Sequence, residues 1–176
     1  MNLIYRLILT FNSTFWTIVV YGIKSGWSFI SNKVVTALVL ILIPILLSGI
    51  TIFLSRWFLS SKDEFPECNA ISLANHEFLS VYLGYFFVAL SIPDNFTLVF
   101  VYILIYIFSF LSQAQYFNPI LLLFGYNYYH LHTVSGTEFF VISHGKVFRS
   151  LREINIGCLR RINDSTYIAC KEINNG

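Results

Sequence analysis

Two uncharged apolar runs joined at Pro93-Asp94-Asn95 constrain this chain more than any other feature. The first run covers residues 78–93 and the second 95–124, and the second is broken only by Asn118-Pro119. A Pro, an Asp and an Asn between two apolar segments read as a tight turn between helices. With its flanks, each arm reaches about the 20 helical residues that a bilayer core requires. The stretch therefore predicts a transmembrane hairpin, with spans over 76–92 and 96–115 and its turn at Pro93, Asp94 and Asn95.

The rest of the chain fits that solvent. Charged residues make up 11% and hydrophobic ones 56%. A typical soluble domain has roughly 25% charged residues, so this chain lacks the charge to cover a surface in water. Span 34–55 is the plainest, running between Lys33 and Arg56 without a charge. Pro44 at its centre is a kink that a membrane helix tolerates when neighbours satisfy the freed carbonyl. Ser48-Gly49 offers either close helix approach or simple lipid-facing flexibility. Span 7–23 is diluted by Asn12, Ser13, Thr14 and Thr17, and is bracketed by Arg6 and Lys24. An interfacial helix is one alternative for it. A cleaved signal peptide is another, but Lys24-Ser25-Gly26-Trp27 is no small-residue cleavage site. Trp27 and Trp57 flank apolar runs, where interfacial rings belong. Residues 60–75 read as a polar connector, with His76 and Glu77 at the entry to the third span.

Lys and Arg counts set orientation. With four spans, Arg6, Arg56, Lys62, Lys146, Arg149, Arg152, Arg160, Arg161 and Lys171 share one side, and Lys24 and Lys33 the other. That bias predicts both termini in the cytoplasm. Three widely spaced cysteines, Cys68, Cys158 and Cys170, are no disulfide framework and read as reduced thiols on that side.

After Gly125 the pattern changes to short runs of β-prone residues. Strands are expected over 126–134, 137–143, 146–151, 159–162 and 166–170, with turns at Ser135-Gly136, His144-Gly145 and Asn163-Asp164-Ser165. The expected fold is thus a mainly α-helical polytopic membrane protein of about four transmembrane helices (residues 1–124) with a small cytoplasmic β-rich domain (125–176). So small a unit is marginal alone and needs support from the membrane part, sister subunits or a partner. Its small size and the polar strip of span 7–23 together predict a homo-oligomer.

No catalytic motif is present: the sequence has no nucleophile elbow, P-loop, His-Glu-x-x-His or Cys-x-x-Cys. The expectation is a non-enzyme without metal or other cofactor. His130 and His132 lie two apart on a strand, with His144, Cys158 and Cys170 downstream, but exposed strand histidines are commoner than such ligand sets. Asn95-Phe96-Thr97 fits a glycosylation sequon but adjoins a membrane helix. Arg149, Arg152, Arg160 and Arg161 form the candidate partner-docking cluster. The plainer account of these arginines is the positive-inside bias, or contact with anionic headgroups. The tail's six Lys and Arg stand against Glu138, Glu153, Asp164 and Glu172, too small an excess for direct nucleic-acid binding. An acidic protein partner is the better functional reading.

Residues Asn118-Pro119-Ile120-Leu121-Leu122-Leu123-Phe124-Gly125-Tyr126, followed by Tyr129, Ser135-Gly136 and Val141-Ile142-Ser143, resemble the KwaA family, the membrane subunits of the Kiwa anti-phage defence system. Asn118, Pro119, Gly125 and Tyr126 then mark the junction between membrane part and tail. The resemblance implies an oligomeric subunit of the bacterial inner membrane that detects phage at the envelope. It also implies a cytoplasmic DNA-binding partner, KwaB. A membrane immunity-type protein and a channel or pore-forming effector are the alternative functions.

Overall fold

The computed structural model describes residues 3–59, 62–63, 66–112, 118–154, 156 and 158–169. The predicted end of the fourth span at Gln115 and the predicted strand end at Cys170 lie outside the described residues. The chain forms two units: a helical one, Ile4–Leu54 with Glu77–Asn118, and a sheet one, Met1–Leu3 with Ser55–His76 and Pro119–Gly176.

Four helices build the helical unit: α1 (Leu3–Lys24), α2 (Lys33–Phe58), α3 (Phe78–Ser91) and α4 (Asn95–Ser112). Helices α1, α4 and the stretch Lys33–Ser55 of α2 are long and apolar enough to cross a membrane; α3 is apolar but has 14 residues. Helix α1 stops at a Schellman turn. Trp27 N–H donates to the Gly22 carbonyl (3.0 Å), Gly26 N–H to that of Ile23 (3.2 Å), and Gly26 has φ 68°. The Trp27 ring then lies over Gly22, where a Cβ would stand 2.9 Å from Trp27 Cε3. The Lys24-Ser25-Gly26-Trp27 run is therefore a helix stop built into the fold. Asn32 starts α2 by accepting the Val34 N–H (2.9 Å). Asp94 starts α4: one carboxylate oxygen accepts the Thr97 N–H (2.9 Å) and the other the Thr97 hydroxyl (3.0 Å).

The sheet unit holds six strands: β1 (Lys62–Asp63), β2 (Cys68–Leu73), β3 (Tyr126–Thr133), β4 (Glu138–His144), β5 (Leu159–Arg161) and β6 (Thr166–Ala169). Their order is β1-β5-β6-β4-β3-β2. Strand β4 runs parallel to β6, with Val141 opposite Tyr167, and every other pair is antiparallel. The stretch 60–75 is thus more than a connector, since it supplies both edge strands. A short helix, α5 (Pro119–Leu123), precedes β3. Pro119 suits its first position, and Gly125 at φ 78° lets the chain turn out of it.

Residues Phe139-Phe140-Val141-Ile142 are all buried, as expected of a strand covered on both faces. On one face Leu131, Phe139, Val141 and Leu159 pack with Ile71, Ile154 and Ile156. On the other, the Tyr128 ring stacks on Phe140 at 5.6 Å. The strand expected over 146–151 does not form. The Phe148 N–H goes to the Tyr129 hydroxyl (3.1 Å) and the Arg149 N–H to the Glu153 carboxylate (2.9 Å), so side chains take the bonds a ladder needs. A 3-10 turn, Leu151–Glu153, follows instead and packs beside β2.

Candidate functional site

The hydroxyl and amide groups of α1 point inward. Thr10, Asn12, Ser13, Thr14 and Thr17 are all buried. Three of the hydroxyls bond carbonyls of their own helix: Thr10 to Arg6, and Ser13 and Thr14 to Thr10. Asn12 reaches across to α2, where its Nδ2 donates to Ser48 Oγ at 3.0 Å. Asn118 Nδ2 donates to the same oxygen at 2.9 Å. Ser48 Oγ in turn donates to the Pro44 carbonyl at 2.7 Å, a back-bond one turn along its own helix. One hydroxyl thus joins α1, α2 and the last residue of the helical unit. Asn12 Oδ1 has no hydrogen-bond partner among the described residues, nor has Thr17 Oγ1.

Tyrosines complete the interior. The Tyr5 hydroxyl donates to the Thr51 carbonyl (3.2 Å) and that of Tyr106 to the Leu7 carbonyl (3.1 Å). Tyr102 meets Thr14 at 3.3 Å, and Tyr85 meets Ser109 at 2.8 Å. The polar strip expected to need sister subunits is therefore covered within the chain. A Cβ at Gly49 would meet nothing within 4 Å among the described residues, so of the Ser48-Gly49 pair it is the serine that mediates contact.

The hairpin turn is clipped to the end of α1. Lys24 Nζ donates to the Ile92 carbonyl at 2.6 Å, and the Tyr21 hydroxyl to Asn95 Oδ1 at 3.0 Å. Tyr21, Ala89, Ile92 and Leu98 pack beneath this clip. The two loops 25–32 and 92–94 therefore occupy one end of the helical unit. The Thr97 N–H and then its hydroxyl hold the Asp94 carboxyl below its usual range.

The structure does not bring the four arginines together. Arg149 and Arg152 lie at the 3-10 turn beside β2, whereas Arg160 and Arg161 lie on β5. Strands β6, β4 and β3 separate β5 from β2, roughly 19 Å across the sheet at about 4.8 Å per strand. Arg161 is already engaged, its guanidinium 2.8 Å from the Asp164 carboxylate. As neighbours on a strand, Arg160 and Arg161 point to opposite faces. Arg149 is exposed, and the Arg152 side chain lies outside what is described.

Of the histidines, His130 is held by the Glu138 carboxylate at 2.8 Å and by the Phe140 ring edge. His132 sits opposite Glu138 in register, and His144 stands edge-on to Tyr126. Cys68 is free and burial pushes its thiol up, but Cys158 is disulfide-bonded, against the reading of all three cysteines as thiols. Its partner lies outside the described residues.

The sequence reading missed the Ser48 node, the Lys24 clip and the strands of 62–73. An Asn and a Ser inside two apolar spans were a signal for the first, because a lone amide in a membrane helix must find an acceptor. No curated protein and no solved structure matches the chain. Its residues 5–168 match the family described as anti-phage protein KwaA. This helical unit with a polar interior, joined at Asn118 to a mixed sheet, belongs to the anti-phage protein KwaA family.

Proposed function

We propose that this chain is the membrane-embedded sensor and anchor subunit of an anti-phage defence system. In this reading α1 to α4 all cross the bacterial inner membrane and the sheet unit faces the cytoplasm. There it recruits a KwaB-like DNA-binding protein. One observation carries the reading: β2, from before α3, pairs with β3, from after α4. Both strands must lie on the same side of any membrane, so α3 and α4 leave that side and return to it together. Helix α4 is long enough to span, which makes α3 its partner despite its 14 residues. At about 1.5 Å per residue α3 is roughly 21 Å long, and its flanks or local bilayer thinning make up the rest. The segments that build the sheet unit carry eight of the nine Lys and Arg on the predicted inner side, while Lys24 and Lys33 stand at the other end of their helices.

The pore alternative loses support, because the polar residues of α1 bond to α2 and α4 within one chain. Family membership in anti-phage defence weighs against an immunity protein for a co-encoded toxin. One observation favours a second reading, with the sheet unit outside the cytoplasm: Cys158 is disulfide-bonded, and disulfides persist mainly in oxidising compartments. The charge count outweighs it, since Lys and Arg near span ends set orientation directly.

The test is co-purification from solubilised membranes, with expression level as control. Arg149→Glu with Arg152→Glu should lose the partner, and Arg160→Glu with Arg161→Glu should retain it, because Arg161 is already paired with Asp164. Full recovery with both pairs reversed removes the arginines from docking. In the same cells, labelling of the free Cys68 by a membrane-permeant thiol reagent but not by an impermeant one supports the cytoplasmic placement. Labelling of Cys68 by the impermeant reagent in intact cells overturns it.

A further inference from the structure

We propose that Ser48 is the latch of a two-position anchor for Asn118, the last residue of the helical unit. This rests on the sensor reading above and adds the device by which it works. Three observations carry it. Ser48 Oγ accepts two amide donors, Asn12 Nδ2 and Asn118 Nδ2, and spends its own proton on the Pro44 carbonyl. That oxygen has no capacity left. The Asn12 carbonyl oxygen, on an amide bonded to the same hydroxyl, has no hydrogen-bond partner among the described residues, and the residue is 2% exposed. The cluster therefore contains one saturated acceptor and one empty acceptor. Finally, Asn118 is the residue at which the helical unit ends, and the next, Pro119, opens α5.

Two arrangements of these groups satisfy the Asn118 amide. In the present one it donates to Ser48. In the other it donates to Asn12 Oδ1 and Ser48 keeps the Asn12 amide alone. The number of hydrogen bonds is the same in both, so the two differ little in energy, as a switch requires. In a low-dielectric interior an amide that leaves one acceptor is driven to another. What changes between the two arrangements is which helix Asn118 is tied to: α2 through Ser48, or α1 through Asn12. The Pro44 kink and the Ser48 back-bond mark this turn of α2 as the place where the helix bends, so a change of bilayer thickness or tension acts where the latch is.

The test is amide hydrogen exchange of the full-length protein in nanodiscs, paired with phage plating on cells carrying each variant. Ser48→Ala removes the shared acceptor, and exchange of the amides of α5 and of Phe124, residues 120–124, should rise about tenfold. Strands β3 and β4 and the middle of α4 should stay at wild-type protection. Ser48→Thr keeps the hydroxyl and should restore the wild-type pattern. Unchanged α5 exchange in Ser48→Ala overturns the latch. So does a uniform rise through all helices, which reduces Ser48 to general packing. Looser α5 with unaltered plating protection leaves the latch standing and removes the sensor reading on which its role rests.

Discussion

The two units of this chain bury and expose opposite kinds of side chain. The sheet unit keeps Leu131, Phe139, Val141 and Leu159 inside, while Arg149, Arg161 and Asp164 lie outside. The helical unit keeps Asn12, Thr14, Thr17, Ser48 and Thr51 inside, and shows Leu38, Leu42, Phe53, Phe87, Phe108 and Leu111 on its surface. Water explains the first arrangement, since it expels apolar area. It cannot explain the second. In hydrocarbon, apolar side chains gain nothing by meeting each other, and small polar groups hold helices together. The difference is what two units arranged for two solvents would show, and it supports the membrane reading.

The comparison is broken most directly from inside. Leu131→Ala empties a site 1% exposed in the sheet core, and should cost about 4 kcal/mol. Asn12→Ala in the helical interior removes one hydrogen bond and should cost about 0.6 kcal/mol, the average for such bonds in membrane bundles. Thermal unfolding of the solubilised protein, followed separately in each unit, reads both. Equal costs would mean that the two interiors are held by the same force.

The outsides give the next test. Leu42→Lys places a charge midway along α2 on a side chain 50% exposed, which should cost insertion about 3 kcal/mol. Val147→Lys, on a side chain 43% exposed in the sheet unit, should stay within about 0.5 kcal/mol. Membrane-integrated yield after carbonate extraction separates them. Full integration of the Leu42→Lys protein would show that position 42 does not face hydrocarbon.

The smallest effect sharpens the boundary between the two solvents. Asp94 is exposed, and its carboxyl is held below the usual range by the Thr97 N–H. A lowered folded value means the cap stabilises above the ordinary carboxylate value, about 4, and the gain is lost as pH falls through the folded value. Wild type and Asp94→Ala should therefore differ in melting at pH 6 and converge below about pH 4. A difference that persists unchanged in acid would show that the carboxylate charge is not what caps α4.

Much of this architecture was legible because its signals are local. Apolar length found the four long helices, Pro93-Asp94-Asn95 found the turn between α3 and α4, and Ser135-Gly136 found the β3–β4 turn, where Gly136 has φ 82°. The failures share a different cause. Strand β2 packs Cys68 and Ile71 against the core, and an irregularity between Cys68 and Ala70 breaks the alternation, so its pairing with β3 decides its shape. The parallel match of β4 with β6 leaves no mark in either strand. The strand expected after His144 was lost to two side chains, Tyr129 and Glu153, distant in sequence or outside the pattern considered. The arginine cluster dissolved for the same reason: nearness in sequence across a 3-10 turn and two loops says nothing about nearness across a sheet.

The two edge strands drawn from 62–73 also set an order of manufacture. A ribosome delivers β2 before α3, and β3 only after α4 has been made. For the seconds that translation of the intervening residues takes, at about 5–20 residues per second, β2 has no strand to pair with. In the proposed topology the β2–β3 pair therefore waits until the hairpin has been threaded out and back. A chain in which only one arm of the hairpin crossed would leave β3 on the far side from β2 and could not close its sheet. Closure of the sheet would thus report that the two arms had crossed as a pair or not at all.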